Sequence, residues 1–265
     1  MPKILMLHRV LPEHDPDNYY FERDTAISWN RFTCLLDQIE AERLQTLPVS
    51  ALGRASNGRS VFITFDDGYA DNADALNEIL KRGMKATLFP VKQFIQEGFS
   101  PIDDMAFHLM EHNDVPSELY SSLMSGRLKK LLRRLSVHKY RYLRRKWFGL
   151  VEDASPKDLF LTDQQLADFV SRGVELGIHG SSHRIFTSMS DSDLLQELSE
   201  SKDWLNSIGV NGRLSICFPH GSHDPRTSKI CSNFGEFLLG VDALPTCGSV
   251  QRRIHIKEVS NELDY

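Results

Sequence analysis

Four cysteines are spread through 265 residues, Cys34, Cys217, Cys231 and Cys247, and no two of them form a C-x-x-C pair. Scattered cysteines of this kind do not read as a disulfide framework and fit a reducing compartment. There is no surplus of positive charge either. The formal net charge is −5, so the molecule as a whole has no electrostatic reason to seek nucleic acid. Long apolar runs are missing, and nothing approaches the roughly 20 residues that a membrane-spanning helix needs. The opening "MPKILMLHRVLPEH" is too short an apolar run for a signal peptide and is interrupted by His8 and Arg9. These absences together lead us to expect a cytoplasmic protein.

What remains is ordinary globular composition, 41% hydrophobic and 25% charged. Short apolar runs alternate with amphipathic segments along most of the chain. "KILMLH", "SVFITF", "KATLFPV", "VELGIHG" (174–180), "LSICFPHG" (214–221) and "EFLLGV" (236–241) read as strands. Segments 28–42, 73–83, 190–209 and 226–235 read as helices; in the first, Phe32, Leu35, Leu36 and Ile39 fall on one face. Strand and helix in regular alternation predict parallel βα units. The expected fold is α/β, a closed or nearly closed barrel formed by a single domain over 1–265. In such barrels the chemistry gathers at the C-terminal ends of the strands. His8, Asp66, Asp67, His179 and His220 all stand at or just past such an end.

The stretch "VFITFDDGYADN" runs a core strand into two adjacent carboxylates, Asp66 and Asp67. Like charges side by side carry a cost that a bound cation would offset. Side chains of neighbouring strand residues point to opposite sides, so one acid can bind a cation while the other faces substrate. Gly68 then allows a sharp turn. In "GIHGSSH", His179 and His183 are four residues apart, so both imidazoles can face one point if His183 lies on a helix or turn. Two histidines and one carboxylate form a three-ligand set for catalytic zinc.

"TFDDGYADN", "GIHGSSH", "MSDSDLLQELSESKDWLNSIG" and "FPHGSHD", in this order and spacing, resemble the polysaccharide deacetylase family, carbohydrate esterase family 4, with its NodB homology domain. The resemblance runs from about residue 4 to about 256. "LMLHRV" and "YFERDTAISWNRF" resemble the bacterial branch that deacetylates cell-surface sugars. The resemblance implies a distorted (β/α)7-type barrel. It implies that Asp67, His179 and His183 hold a divalent metal, Zn2+ by default, with Co2+, Ni2+ or Fe2+ also suited to the set. It implies that Asp66 is the general base and that the amide of His220, in "CFPHG" with Gly221, helps to hold the oxyanion. The implied reaction removes acetyl from an N-acetylated amino sugar.

Three departures stand out. The family's third motif commonly reads Arg-x-Pro-Tyr-Gly, and here Cys217 takes the Arg position and His220 the Tyr position. That arginine steadies the catalytic aspartate in the family, and Arg253 in "QRRIHIKEV" is the candidate to do so here. The late Trp motif is absent, with "VDALPT" in its region. The late Leu-x-His that supplies the general acid has no clear match; His255 and His8 are the two candidates.

Between Glu118 and Glu152 there is no acidic residue, while Arg127, Lys129, Lys130, Arg133, Arg134, Lys139, Arg141, Arg144, Arg145 and Lys146 all occur. Leu128, Leu131, Leu132 and Leu135 recur at helical spacing. We expect a helical basic insertion at about 103–160, able to meet an anionic membrane surface or the diphosphate of a nucleotide- or lipid-linked sugar through 127–146. Two further readings share these residues: hydrolysis of another C–N amide bond, as in a deformylase or small-amide hydrolase, and a non-catalytic sugar-binding module.

Overall fold

The computed structural model describes residues 3–15, 18–22, 24–54, 59–97, 158–241 and 250–255, with the isolated positions 121, 139 and 142. The expected basic insertion therefore lies almost entirely outside the described residues. Among the described residues, seven parallel staves form the barrel: β1 (Lys3–Leu7), β5 (Ser60–Asp67), β6 (Ala86–Pro90), β7 (Glu175–Leu176), β8 (Leu214–Cys217), β9 (Gly235–Val241) and β10 (Val250–His255). The other described strands are β2 (Arg9–Leu11), β3 (Ala26–Ser28) and β4 (Gln45–Thr46). The described helices are α1 (Tyr19–Glu22), α2 (Trp29–Ala41), α3 (Asn72–Lys81), α4 (Lys92–Glu97), α5 (Asp163–Ser171), α6 (Asp191–Ser207) and α7 (Pro225–Cys231). The staves run in the order β7-β6-β5-β1-β10-β9-β8. A parallel bridge between Ile178 and Ile216 joins the two ends, so the barrel is nearly closed. Its hydrogen bonds are Ile178 N–H to the Ser215 carbonyl and Cys217 N–H to the Ile178 carbonyl, each 2.9 Å.

Every residue of β5 is buried, as expected for a parallel stave covered on both sides. Its alternate residues divide between two apolar groups. Val61, Ile63 and Phe65 pack against the helices. Phe62 faces the barrel interior with Ile4, Phe89, Cys217 and Leu239, and Val49 and Leu52 join that same cluster from the 3-10 turn Val49–Arg54. The inward row of β5 continues through Thr64 to Asp66. One end of the barrel is thus filled with hydrocarbon, and the other carries ionised groups.

The helices follow from sequence. Phe32, Leu35, Leu36 and Ile39 are the buried stripe of α2, and Ser28 caps it by accepting from Arg31 N–H. Ser190 does the same for α6 through Asp193 N–H. A reciprocal capping box of Asp224 and Thr227, with Pro225 in the first turn, starts α7.

Two expectations need correction, and one strand was not expected. The stretch 174–180 is strand only at Glu175–Leu176, because the chain then serves two partners in turn: Gly177 N–H bonds back to the Leu88 carbonyl and Ile178 turns to β8. A Cβ at Gly177 would collide with the Phe89 ring, so the stave passes this point only as glycine. The stretch 214–221 stops being strand at Cys217 and continues as the 3-10 turn Pro219–Gly221, since Pro219 has no N–H to extend the ladder. β10 is a strand that the sequence does not announce. Its polar run Gln251-Arg252-Arg253 hides the apolar alternation, yet it pairs with both β1 and β9.

Candidate active site

Asp66 and Asp67 end β5 and are 2% and 5% exposed. Asp67 has a left-handed backbone, φ 71°, and Gly68 follows at φ 85°. This turn overrides the strand alternation that would send the two acids to opposite sides. Asp66 Oδ2 lies 3.9 Å and Asp67 Oδ1 3.6 Å from the same atom, His179 Nε2.

His179 follows the barrel seam and is buried. Its Nδ1 lies 2.9 Å from the Cys217 carbonyl, which can only accept, so Nδ1 carries the proton and Nε2 keeps a lone pair. Burial pulls its pKa down and keeps the ring neutral, the form a metal needs. His183 lies not on a helix but on a loop, with φ 57°. Its Nε2 is 3.3 Å from Asp67 Oδ1. The loop is held from α6: Glu197 accepts from Ser182 N–H at 2.5 Å and from Ser182 Oγ at 2.8 Å, and Glu200 accepts from Ser181 Oγ at 3.0 Å. α4 adds Gln93 N–H to the Ser181 carbonyl, 2.9 Å. The sequence does not mark either glutamate; their signal is only the spacing Glu197, Glu200 on a helix that otherwise reads as amphipathic.

One atom each from Asp67, His179 and His183 fall within 4.8 Å of one another. A carboxylate oxygen and two imidazole nitrogens are the donor chemistry of a catalytic divalent metal, so the residues present fit such an ion. Asp66, His179 and Cys217 form a second trio within the same limit. That trio is a poor fit, because burial pushes the Cys217 thiol well up and Arg253 already occupies Asp66.

Arg253 enters from β10 and is 1% exposed. Its Nη1 and Nη2 donate to Asp66 Oδ1 and Oδ2, 2.7 Å each, in a bidentate pair. Nη1 also lies 3.4 Å from Thr64 Oγ1, and Nε donates to the Gly240 carbonyl at 3.3 Å. Cys217 Sγ is 3.7 Å from both Asp66 oxygens. The small thiol thus stands beside the carboxylate while the guanidinium reaches it from another stave. Burial alone would raise the Asp66 carboxyl; the Arg253 charge and hydrogen bonds, with His179 and His8 nearby, together outweigh it and hold Asp66 well below the usual carboxylate range.

His8 and His255 both reach this centre. His8 Nε2 is 3.9 Å from Asp66 Oδ2, and the two imidazole rings stack with centroids 6.3 Å apart. Burial lowers His8 to about 4, so it is neutral near pH 7. Three residues that lie within the quoted motifs, but to which the sequence reading gives no role, hold His8 in place. Asn72 Nδ2 donates to the His8 carbonyl at 2.7 Å. Asp71 accepts from Arg9 Nε at 2.7 Å and from Val10 N–H at 2.9 Å. The Arg9 guanidinium in turn lies 4.2 Å from the Tyr20 ring centroid.

His220 and Gly221 form the turn after β8. The His220 side chain is exposed, and its ring centroid lies 4.6 Å from that of His183. Gly221 serves the turn itself. Its N–H donates to the Phe218 carbonyl at 2.8 Å, and a Cβ there would run into Val241.

The family model described as "Polysaccharide deacetylase" matches residues 53–236. No curated protein matches the chain in sequence. Among solved structures, the Streptococcus pyogenes deacetylase PplD in complex with acetate superposes with a TM-score of 0.63 at 16% identity, covering 96% of this chain and 91% of that one. BC0361, a polysaccharide deacetylase from Bacillus cereus, gives 0.64 at 15% identity over 96% of this chain and 64% of its own. A de-N-acetylase from Aggregatibacter actinomycetemcomitans gives 0.63 at 15% identity, covering 100% of this chain and 97% of that one. These structural matches share the nearly closed barrel, and with a family match over most of its length the chain belongs to the polysaccharide deacetylase family.

Proposed function

We propose that the chain is a metal-dependent N-deacetylase that removes acetyl from an N-acetylated amino sugar during surface polysaccharide synthesis of the O-antigen or capsule type. The observation that carries this reading is the Asp67, His179 and His183 trio beside an ionised, arginine-held Asp66. PplD in complex with acetate and the Aggregatibacter de-N-acetylase, whose names concern the same product and the same bond, support it.

Asp67, His179 and His183 would hold the ion. A bound divalent ion lowers the pKa of water and polarises an amide carbonyl. Asp66 takes the proton as water attacks the acetyl carbon; each of its oxygens keeps a second lone pair while Arg253 fixes the orientation. The His220 amide donates to the developing oxyanion. His255 hands a proton to the leaving nitrogen, since His8, held neutral near pH 7, has none to give, and the products are a free amine and acetate.

Zn2+ is the ion we assign, since two imidazoles and one carboxylate are among its usual catalytic ligand sets. Dialysis against a chelator should abolish acetate release from N-acetylhexosamine substrates, and Zn2+, Co2+, Ni2+ or Fe2+ should restore it to different extents. Activity that survives complete metal removal would overturn the assignment. The departures at Cys217 and His220 keep one second reading, hydrolysis of another C–N amide, and an acetate-release screen set beside a formamide screen decides between them.

No helix among the described residues is long and apolar enough to cross a membrane. We place the enzyme in the cytoplasm, acting on a nucleotide- or lipid-linked precursor, with the basic segment 127–146 meeting anionic headgroups. Binding to vesicles rich in anionic lipid should then weaken steeply as salt rises. Equal binding to neutral vesicles would remove the membrane contact.

A further inference from the structure

Three residues of the candidate centre hold left-handed backbones without being glycine: Asp67 at φ 71°, His183 at φ 57° and His220 at φ 56°. Such backbones cost stability for any residue with a side chain and persist where the surroundings impose them, often at functional sites. Asp67 and His183 have a role in the ligand set that accounts for this. His220 stands outside that ligand set. It is exposed, so it fills no core, and its turn at φ 56°, ψ 16° is one that glycine adopts without strain. Its neighbour Gly221 shows the contrast, taking φ 67° where Val241 leaves no room for a side chain. The His220 ring instead lies against the His183 ring, 4.6 Å away at 58°, on the solvent side of the ligand set.

We propose that the His220 imidazole is a specificity-determining residue that reads the hydroxyl groups of the sugar ring bearing the acetamide. The inference rests on the deacetylase reading above and adds the substrate feature recognised. The two ring nitrogens of an imidazole hydrogen-bond readily to hydroxyl groups, which both donate and accept. Its position beside His183 puts that pair next to the point where the acetyl group must sit. The backbone amide of the same residue serves the oxyanion, so one position would join acetyl chemistry to sugar recognition.

His220→Gly separates the two roles, because it keeps the amide and removes the ring. The variant should melt about 2 °C higher or more, since strain is relieved. Its metal content should be unchanged. KM for an N-acetylglucosamine oligosaccharide should rise about tenfold, the loss expected for one or two hydrogen bonds. Cleavage of 4-nitroacetanilide, which carries no sugar hydroxyl, should lose less kcat/KM than cleavage of the oligosaccharide does. An unchanged KM for the sugar, or equal losses on both substrates, overturns the proposal. Should the metal-loaded wild type cleave neither substrate, the deacetylase reading fails by itself. Calorimetric titration of the oligosaccharide into wild type and His220→Gly then decides the recognition claim: about tenfold weaker binding upholds it, and equal affinity ends it.

Discussion

Asp66→Asn should lose about 10²- to 10⁴-fold in turnover while the purified protein keeps its divalent ion. The two adjacent acids stand in different surroundings. Asp67 Oδ1 stands within 3.3–3.6 Å of the two imidazole nitrogens, and Asp66 has both oxygens on Arg253. An amide at position 66 removes the proton acceptor but leaves Asp67, His179 and His183 untouched. Metal analysis beside acetate release checks this. Loss of the ion in Asp66→Asn would make Asp66 a ligand, and retained turnover would move the base elsewhere. The variant also leaves the Arg253 cation buried without its anion, so both assays belong on protein shown to be folded by its melting curve.

Arg253→Met should be the most destabilising single change at the site. Removing one partner of a buried ion pair leaves an uncompensated charge and costs about 3–5 kcal/mol. In a chain of this size that is a fall of roughly 10 °C in melting temperature. The double variant Asp66→Asn with Arg253→Met should recover much of the loss, because neither member of the pair is left buried without its partner. Stability and catalysis then separate: the double variant is stable and inactive.

The pH dependence distinguishes orientation from mere packing. In the wild type the folded Asp66 carboxyl lies below its unfolded value of about 3.9. The pair's contribution is therefore complete above that value and is lost as pH falls through the lower folded one. Without Arg253, burial meets less opposition at Asp66 and its pKa rises. The acid limb of kcat/KM should move to higher pH in Arg253→Met. An acid limb that stays in place would reduce Arg253 to a structural residue.

Much of the centre is legible in the chain. "TFDDG" and "GIHGSSH" announce their residues because strand ends in a parallel barrel all open on one face, and the alternation of strands and helices announces the barrel. The contact between Arg253 and Asp66 is of another kind. The two residues are 187 positions apart, and the strand that carries Arg253 is disguised by its own polar run. Only closure of the ring, with β10 beside β1 and β1 beside β5, brings the guanidinium to Asp66, with Cys217 Sγ beside the same carboxylate.

The left-handed turns at Asp67, His183 and His220 are likewise beyond reach, since none is glycine and nothing local marks them. By itself the sequence determined the fold class and the family, because period, apolar pattern and motif spacing are local properties. The tertiary structure decided which acid faces the imidazoles, which cation holds the other, and how the loops supporting them are tied to α4 and α6. Those are distances between remote residues, and packing of the whole barrel sets them.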